Sequence, residues 1–409
     1  MSAPHYFLSH LKSLSDAEKK TFLKHYERLG NSHDKAVKCK DEALQALPSP
    51  KRLDLFGVAE SALTLMKHCM PKLCELVEPG LTSRVEMVNE MLHMYPTLSG
   101  AFVGSGQPNS VHGVDTELLY TFAQHYLWSV APGHVIQTTD ALEEMLANVD
   151  IRSGIPASYF RPPYPAIYIK FGTAPSSICA PLLHAESGEH LVEGCYILTT
   201  QSYVGSDREA RLSGLPIGSV CRTFDVSIYG SAIGKANILD DLFVHTICHV
   251  PDENQPIGEI IDMWLENARK EYNDSMHNAH AFRPVLEHVA KILFYMGSRD
   301  ARMRDLTPET NLTKSVQGLK SPSKIEKAKR KASKVFDHIL VGPESLAVRS
   351  VNHGGSGDSR SVSTHWRRGH YRDQPHGPNN KERKLVFIEP ILVRADLGGN
   401  APVKDYDVM

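Results

Sequence analysis

Apolar residues near the start of the chain recur at spacings of three and four. Tyr6, Phe7, Leu11, Leu14, Phe22 and Tyr26 follow this rhythm, which predicts amphipathic helix. Ser15 precedes Asp16, Ala17 and Glu18; a serine oxygen at that place can accept from the free amides of a first turn, so a helical segment should start there. Further helical runs follow at 59–76, interrupted by Pro71, at 85–95, at the aromatic-rich 118–130 and at 139–146. Asp140, Glu143 and Glu144 lie near the start of the last run, where the helix dipole favours anions. Glycines and prolines between residues 96 and 108 mark an irregular connection.

The period then changes. Residues 166–171 (AIYIKF), 191–199 and 222–229 are rich in β-branched and aromatic side chains, which predicts strands. No long helical crossover separates them, so antiparallel pairing is expected, with a loop near 202–220. Helix returns at 257–272 and 285–296. In the second, Val285, Val289, Ile292, Leu293 and Met296 form one stripe. A third helix is expected over 324–340, basic and solvent-facing in KIEKAKRKASK and docking through VFDHIL. A last strand is expected at 385–393.

These elements predict an α+β protein: an N-terminal helical region followed by a mixed or antiparallel sheet domain with packed helices. The expected divisions are a mainly helical region at 1–150, an α+β body at 151–345, a flexible linker at 346–364 and, at 365–396, a basic motif and final strand returning to the body.

Composition narrows the class. Of 409 residues, 41% are apolar and 22% charged, as in ordinary globular chains. No run of eighteen apolar residues exists, so no spanning helix or membrane partner is expected. The first residues lack the pattern of a secretory signal, and seven scattered cysteines form no CxxC pair. Both features point to a cytoplasmic, reducing setting with buried thiols. Charge is uneven under a total of −2: residues 314–394 hold 17 Lys and Arg against 7 Asp and Glu. Such a basic part on an acidic body suits an anionic partner, or an arm folded onto its own carboxylates.

The most distinctive stretch is 363–393, STHWRRGHYRDQPHGPNNKERKLVFIEPILV. His365, His370 and His376 are interleaved with Arg367, Arg368 and Arg372, beside Trp366 and Tyr371. Arginine offers paired donors to phosphate oxygens, and the two aromatic residues offer faces for base stacking. The combination suits single-stranded RNA or DNA more than a duplex groove, with a solvent-facing hairpin arm as the structural alternative. The histidines also suggest a metal-free RNA-processing enzyme, one as base and another as acid. Zinc is a weaker reading, since no cysteine is close, and no cofactor is expected. No phosphate-binding loop, HExxH or GxSxG pattern occurs. Asp240 and Asp241 read as a solvated turn, and His245 and His249 as satisfied histidines.

His365-Trp-Arg-Arg-Gly369-His370, the turn at Gly377, a basic residue and a strand ending in Pro390 and Val393 resemble the C-terminal signature of a type V anti-CRISPR family. The resemblance spans most of residues 150–395 and is specific over 365–393. The chain departs from the family pattern after His370 and at Phe387 and Glu389. The resemblance implies a protein of mobile elements or their bacterial relatives. Its partner would be a protein or nascent peptide, a CRISPR nuclease among the candidates, whose message is lost. RNA or the ribosome would lie near the basic motif. A protein-interaction module with no nucleic-acid role is the remaining alternative.

Overall fold

The computed structural model describes residues 15–69, 71–78, 82, 86–88, 90, 123–124, 126–131, 133–151, 154–172, 178–184, 187–234, 238–272, 278–345, 365–367 and 369–393. The expected connection at 96–108 and linker at 346–364 lie outside the described residues.

Helix α1 (Asp16–Val37) starts where the sequence places its cap. Ser15 accepts from the Glu18 amide, and the Glu18 carboxylate accepts from the Ser15 amide, so two otherwise orphaned donors are satisfied reciprocally. Short helices α2 (Glu42–Gln45), α3 (Ser49–Asp54), α4 (Val58–Cys69) and α5 (Pro71–Leu76) follow. Pro71 opens α5, at the position where a missing amide costs nothing. The described residues of 86–90 and 123–130 are helical too.

The helical stretch gives way to sheet earlier than residue 150. Strand β1 (His134–Thr138) lies inside the main sheet. It leads into α6 (Asp140–Ala147), whose N-cap Thr139 accepts from the Leu142 amide at 3.2 Å, and then into β2 (Val149–Asp150). The other strands of the main sheet are β3 (Ala166–Lys170), β4 (Leu182–His184), β5 (Gly188–Tyr203), β6 (Val220–Ala232), β7 (Asp241–Val250), β8 (Met303–Leu306) and β9 (His338–Val341). Their order is β7-β6-β5-β3-β1-β9-β8, with β4 alongside β5. The β3–β5 and β5–β6 pairs are antiparallel as expected. The sheet is nevertheless mixed, because β1 runs parallel to both β3 and β9. The expected loop near 202–220 contains a helix, α7 (Asp207–Ser213), capped by Ser206.

Helices α8 (Ile257–Tyr272) and α9 (Phe282–Gly297) lie on one face of the sheet. Trp264 and Phe282, then Val285, Val289, Ile292 and Leu293, meet Ile167, Ile197, Val226 and Ile228 there. The opposite face is covered by N-terminal elements: Met66, Leu73, Tyr126 and Leu127 pack with Ala166 and Leu198. Burial on both faces explains why β3 reads as an unbroken apolar run.

One helix is shorter than expected. Helix α10 (Pro308–Gln317) and helix α11 (Pro322–Ala332) form a pair between β8 and β9. The helix expected over 324–340 stops at Ala332, and residues 338–341 pair with β1 as a strand. Here the open edge of β1 supplies a ladder that overrides local helical preference.

The C-terminal residues make two small sheets. Strand β10 (His365–Arg367) pairs with β13 (Ile391–Val393), while β11 (Gly369–His376), β12 (Glu382–Ile388) and β2 form a three-stranded sheet. The single strand expected at 385–393 is therefore two strands, separated at Glu389 and Pro390, and proline has no amide to continue a ladder. Neither strand joins the main sheet, yet Tyr371 and Leu385 enter the same core as α9.

Candidate functional site

Strands β11 and β12 form a hairpin in register from His370 opposite Ile388 to His376 opposite Glu382. The turn needs left-handed backbone: φ is 74° at Gly377, 56° at Asn379 and 53° at Asn380, angles that Gly and Asn tolerate best. Side chains alternate across the ribbon. One face carries Tyr371, Asp373, Leu385 and Phe387. The Tyr371 ring packs on Phe294 and Phe387, with centroids 5.4 and 4.9 Å away, and its hydroxyl donates to the Lys291 carbonyl at 2.6 Å. Asp373 accepts from the Tyr159 hydroxyl at 3.0 Å; burial, with this bond, pushes the phenol up to about 12. The other face carries His370 and Arg372, both exposed, with Gln374, His376, Lys384 and Glu382. His376 lies 3.2 Å from Glu382.

The expected motif is thus divided by the pleat. Arg372 projects outward and makes no ion pair with a described residue. Tyr371, expected to stack on a base, is instead 1% exposed, and its face is taken up by α9 and Phe387. Gly369 does not occupy a left-handed angle. A Cβ there would fall 2.7 Å from Pro390 Cδ and 2.9 Å from the Ile388 carbonyl, so close approach, not backbone freedom, demands glycine. Its amide donates to the Asn148 carbonyl at 3.1 Å, anchoring the hairpin beside β2. His365, Trp366 and Arg367 are placed as the backbone of β10, and Arg368 lies outside the described residues. His370 and His376 sit six residues apart on one strand, about 20 Å at ~3.3 Å per residue, too far to share a metal or a scissile bond. His245 and His249 likewise lie on strand β7, not on a helix.

A buried charged cluster beneath the N-terminal helices was not evident in the sequence. The register slips between Val192 and Gly194, and such a bulge re-aims the extra side chain. Glu193 consequently points away from the α8–α9 face. Arg52 of α3 donates to its carboxylate at 3.0 and 2.7 Å, and to Asp241 at 2.5 Å. Tyr168 and Ser231 hydroxyls also donate to Glu193, at 2.7 and 2.6 Å. Arg52 is 1% exposed. Burial works against its charge, but Glu193 and Asp241 reverse the effect and hold the guanidinium protonated. Asp241 is therefore part of this cluster and not of a solvated turn.

Two other buried groups titrate unusually. His288 Nε2 lies 2.8 Å from Glu143 Oε2, and Glu143 also accepts from the Thr138 hydroxyl and the Gly172 amide. Burial would raise this carboxyl, but these partners hold it below its usual range. His249 is buried beside Thr223, with no partner for Nδ1 among the described residues. Burial pushes its imidazole down to about 4, against a smaller opposing pull from Glu209. In the unfolded chain the ring titrates near 6.5, so between these values the unfolded state takes up the proton first. Stability from this residue is complete above pH 6.5 and falls toward pH 4, by up to about 3 kcal/mol. Urea denaturation of the parent and of His249→Asn from pH 7.5 to 4.5 checks this. Parallel pH profiles for the two proteins would contradict it.

The thiols of Cys179, Cys221 and Cys248 offer no such site. Cys179 and Cys221 are pushed up to about 11 and Cys248 to about 12 by burial, the reverse of an activated nucleophile. Among the described residues no helix is long and apolar enough to cross a membrane.

No curated protein sequence matches the chain. The crystal structure of AcrVA2 is similar over 95% of this chain and 99% of that one, at 12% identity and a TM-score of 0.37. Residues 136–395 match the AcrVA2-like family, the anti-CRISPR type V subtype A2 family. That match starts inside β1 and takes in the main sheet, α8 to α11 and the C-terminal hairpin, more than half of the sequence, and the chain therefore belongs to the AcrVA2-like anti-CRISPR family.

Proposed function

We propose that the protein recognises a type V CRISPR nuclease, as a protein or nascent peptide, and promotes loss of its mRNA, with the outer face of the β11–β12 hairpin turned toward RNA or the ribosome. Family membership over residues 136–395 supports the nuclease-related partner. The outward placement of Arg372 and Lys384, with exposed Lys381 at the turn, supports an anionic one. Exposed cations of this kind meet phosphates without needing a pocket. The docked inner face gives the arm a fixed orientation, so binding would not have to order it first.

Co-expression with a panel of type V nucleases tests the reading. The message of at least one nuclease is expected to fall, and fusion of that nuclease's N-terminal segment to an unrelated reporter is expected to transfer the effect. Arg372→Ala should weaken the effect while leaving the protein folded, because loss of an exposed charge costs little stability. Unchanged messages across the panel, or a fall that ignores the N-terminal segment, would reject it. His370 is exposed and its ring makes no hydrogen bond with a described residue, so His370→Asn separates catalysis from contact: survival of message loss in that variant excludes proton transfer by this ring.

A further inference from the structure

The helical pair α10–α11 stands apart from both the core and the hairpin just described. Its helices pack on one another, with Leu312, Val316, Ile325 and Ala328 half-buried and only Ala332 fully so. Residues 308–334 hold eight Lys or Arg against two Glu, in a chain whose total is −2. The ion pairs that reach the body lie at the root. Glu309 meets Lys51 at 2.9 Å, Lys334 meets Asp41 at 2.6 Å, and Asp337 accepts from the first amides of α10. Lys314, Lys324, Lys327, Lys329, Arg330 and Lys331 are all exposed, and none makes an ion pair with a described residue.

We propose that α10–α11 is a docking surface for the phosphate backbone of base-paired RNA. The choice of RNA as the polyanion rests on the function proposed above; the existence of an anion-binding surface does not. Lys324, Lys327 and Lys331 fall within about 60° of one another around α11 and span about 10 Å of its axis. That is a stripe of point charges, with Arg330 at its flank. Part of the cationic excess complements the helix dipole, since Lys329, Arg330 and Lys331 occupy the last turn of α11. Lys314 likewise lies in the last turn of α10, but that account does not extend to Lys324 and Lys327 near the start of α11. Leu312, Val316, Leu319, Ile325 and Ala328 are all half-buried, so no exposed greasy face is left for a lipid surface. Residues 308–334 contain no aromatic side chain, so single-stranded bases would find nothing to stack on. What remains is recognition by charge along a backbone whose bases are already paired.

The test uses the full chain and four probes: a mixed-sequence RNA duplex of about 20 pairs, one of its single strands, the equivalent DNA duplex, and polyglutamate. Affinity is measured from 50 to 200 mM salt for the parent, for Lys324→Gln/Lys327→Gln/Lys331→Gln, and for Arg372→Ala. Glutamine keeps helical propensity close to that of lysine, so thermal unfolding should not change. The triple variant is expected to bind the RNA duplex at least tenfold more weakly at 50 mM salt, with a log–log salt slope smaller by two to three. Loss only in Arg372→Ala overturns this proposal and leaves the hairpin reading intact. Loss only in the triple variant supports it and removes the hairpin from RNA contact. An unchanged slope, preference for the single strand, or equal binding of polyglutamate overturns it, while comparable binding of the DNA duplex supports recognition of a paired phosphate backbone by charge.

Discussion

Arg52→Ala is expected to destabilise the protein by about 3–5 kcal/mol, because it leaves two carboxylates in a site built for a cation. The guanidinium bridges Glu193 on β5 and Asp241 on β7, and it also donates to the Leu47 carbonyl beside its own helix. It therefore ties α3 to the sheet through charge-assisted bonds. Removing it costs more than those bonds are worth, since Glu193 and Asp241, 17% and 11% exposed, would have to be rehydrated or protonated. The two causes are separable. In the triple variant Arg52→Met/Glu193→Gln/Asp241→Asn no charge remains, and at least half of the loss should be recovered. Chemical denaturation of the single and triple variants at pH 7.5 gives the answer. A triple variant as unstable as Arg52→Ala would mean that packing of the arginine stem, not buried charge, holds the N-terminal helices to the sheet.

What the sequence discloses and what it conceals divide along the range of the forces involved. Capping is local, so Ser15 with Glu18 is legible from a few residues. The stripe of α9 is legible for the same reason, as are β5 and β6, which run to 16 and 13 residues, and β3, whose AIYIK is apolar but for its last residue. Strands β8 and β9 are short, and β9 exists because β1 offers an edge; nothing within HILV distinguishes it from the end of a helix. In the C-terminal motif the residue types were legible but their directions were not. Tyr371 and Arg372 are neighbours in sequence, and one faces α9 while the other faces outward, a consequence of register with β12. Arg52 adjoins Lys51 in an ordinary polar run. Only the long-range approach of Glu193, itself turned by a bulge, makes one of them a buried charge.

The second large effect concerns Tyr371. Tyr371→Ala is expected to cost about 3–5 kcal/mol, the usual range for deleting a buried aromatic ring, and to loosen the hairpin selectively. The ring is the joint between β11 and α9: Phe294 meets it edge-on, Phe387 lies beside it, and Tyr295 meets Phe387 in turn. Its hydroxyl satisfies the Lys291 carbonyl, and burial raises the phenol well above its usual range, so the bond persists across the pH range in which the protein is handled. Tyr371→Phe keeps the ring and removes only this donor, for a cost of about 1 kcal/mol. Hydrogen exchange distinguishes a joint from a general core residue. In Tyr371→Ala the amides of β11 and β12 should exchange faster than those of β5 and β6, because local opening requires only the undocking of the hairpin. If the hairpin does carry the RNA-facing surface, the alanine variant should also lose RNA affinity without the loss of a single cation, since its arginine and lysines would no longer be held in one orientation. Uniform acceleration across all four strands would show instead that the hairpin and the main sheet unfold as one cooperative unit.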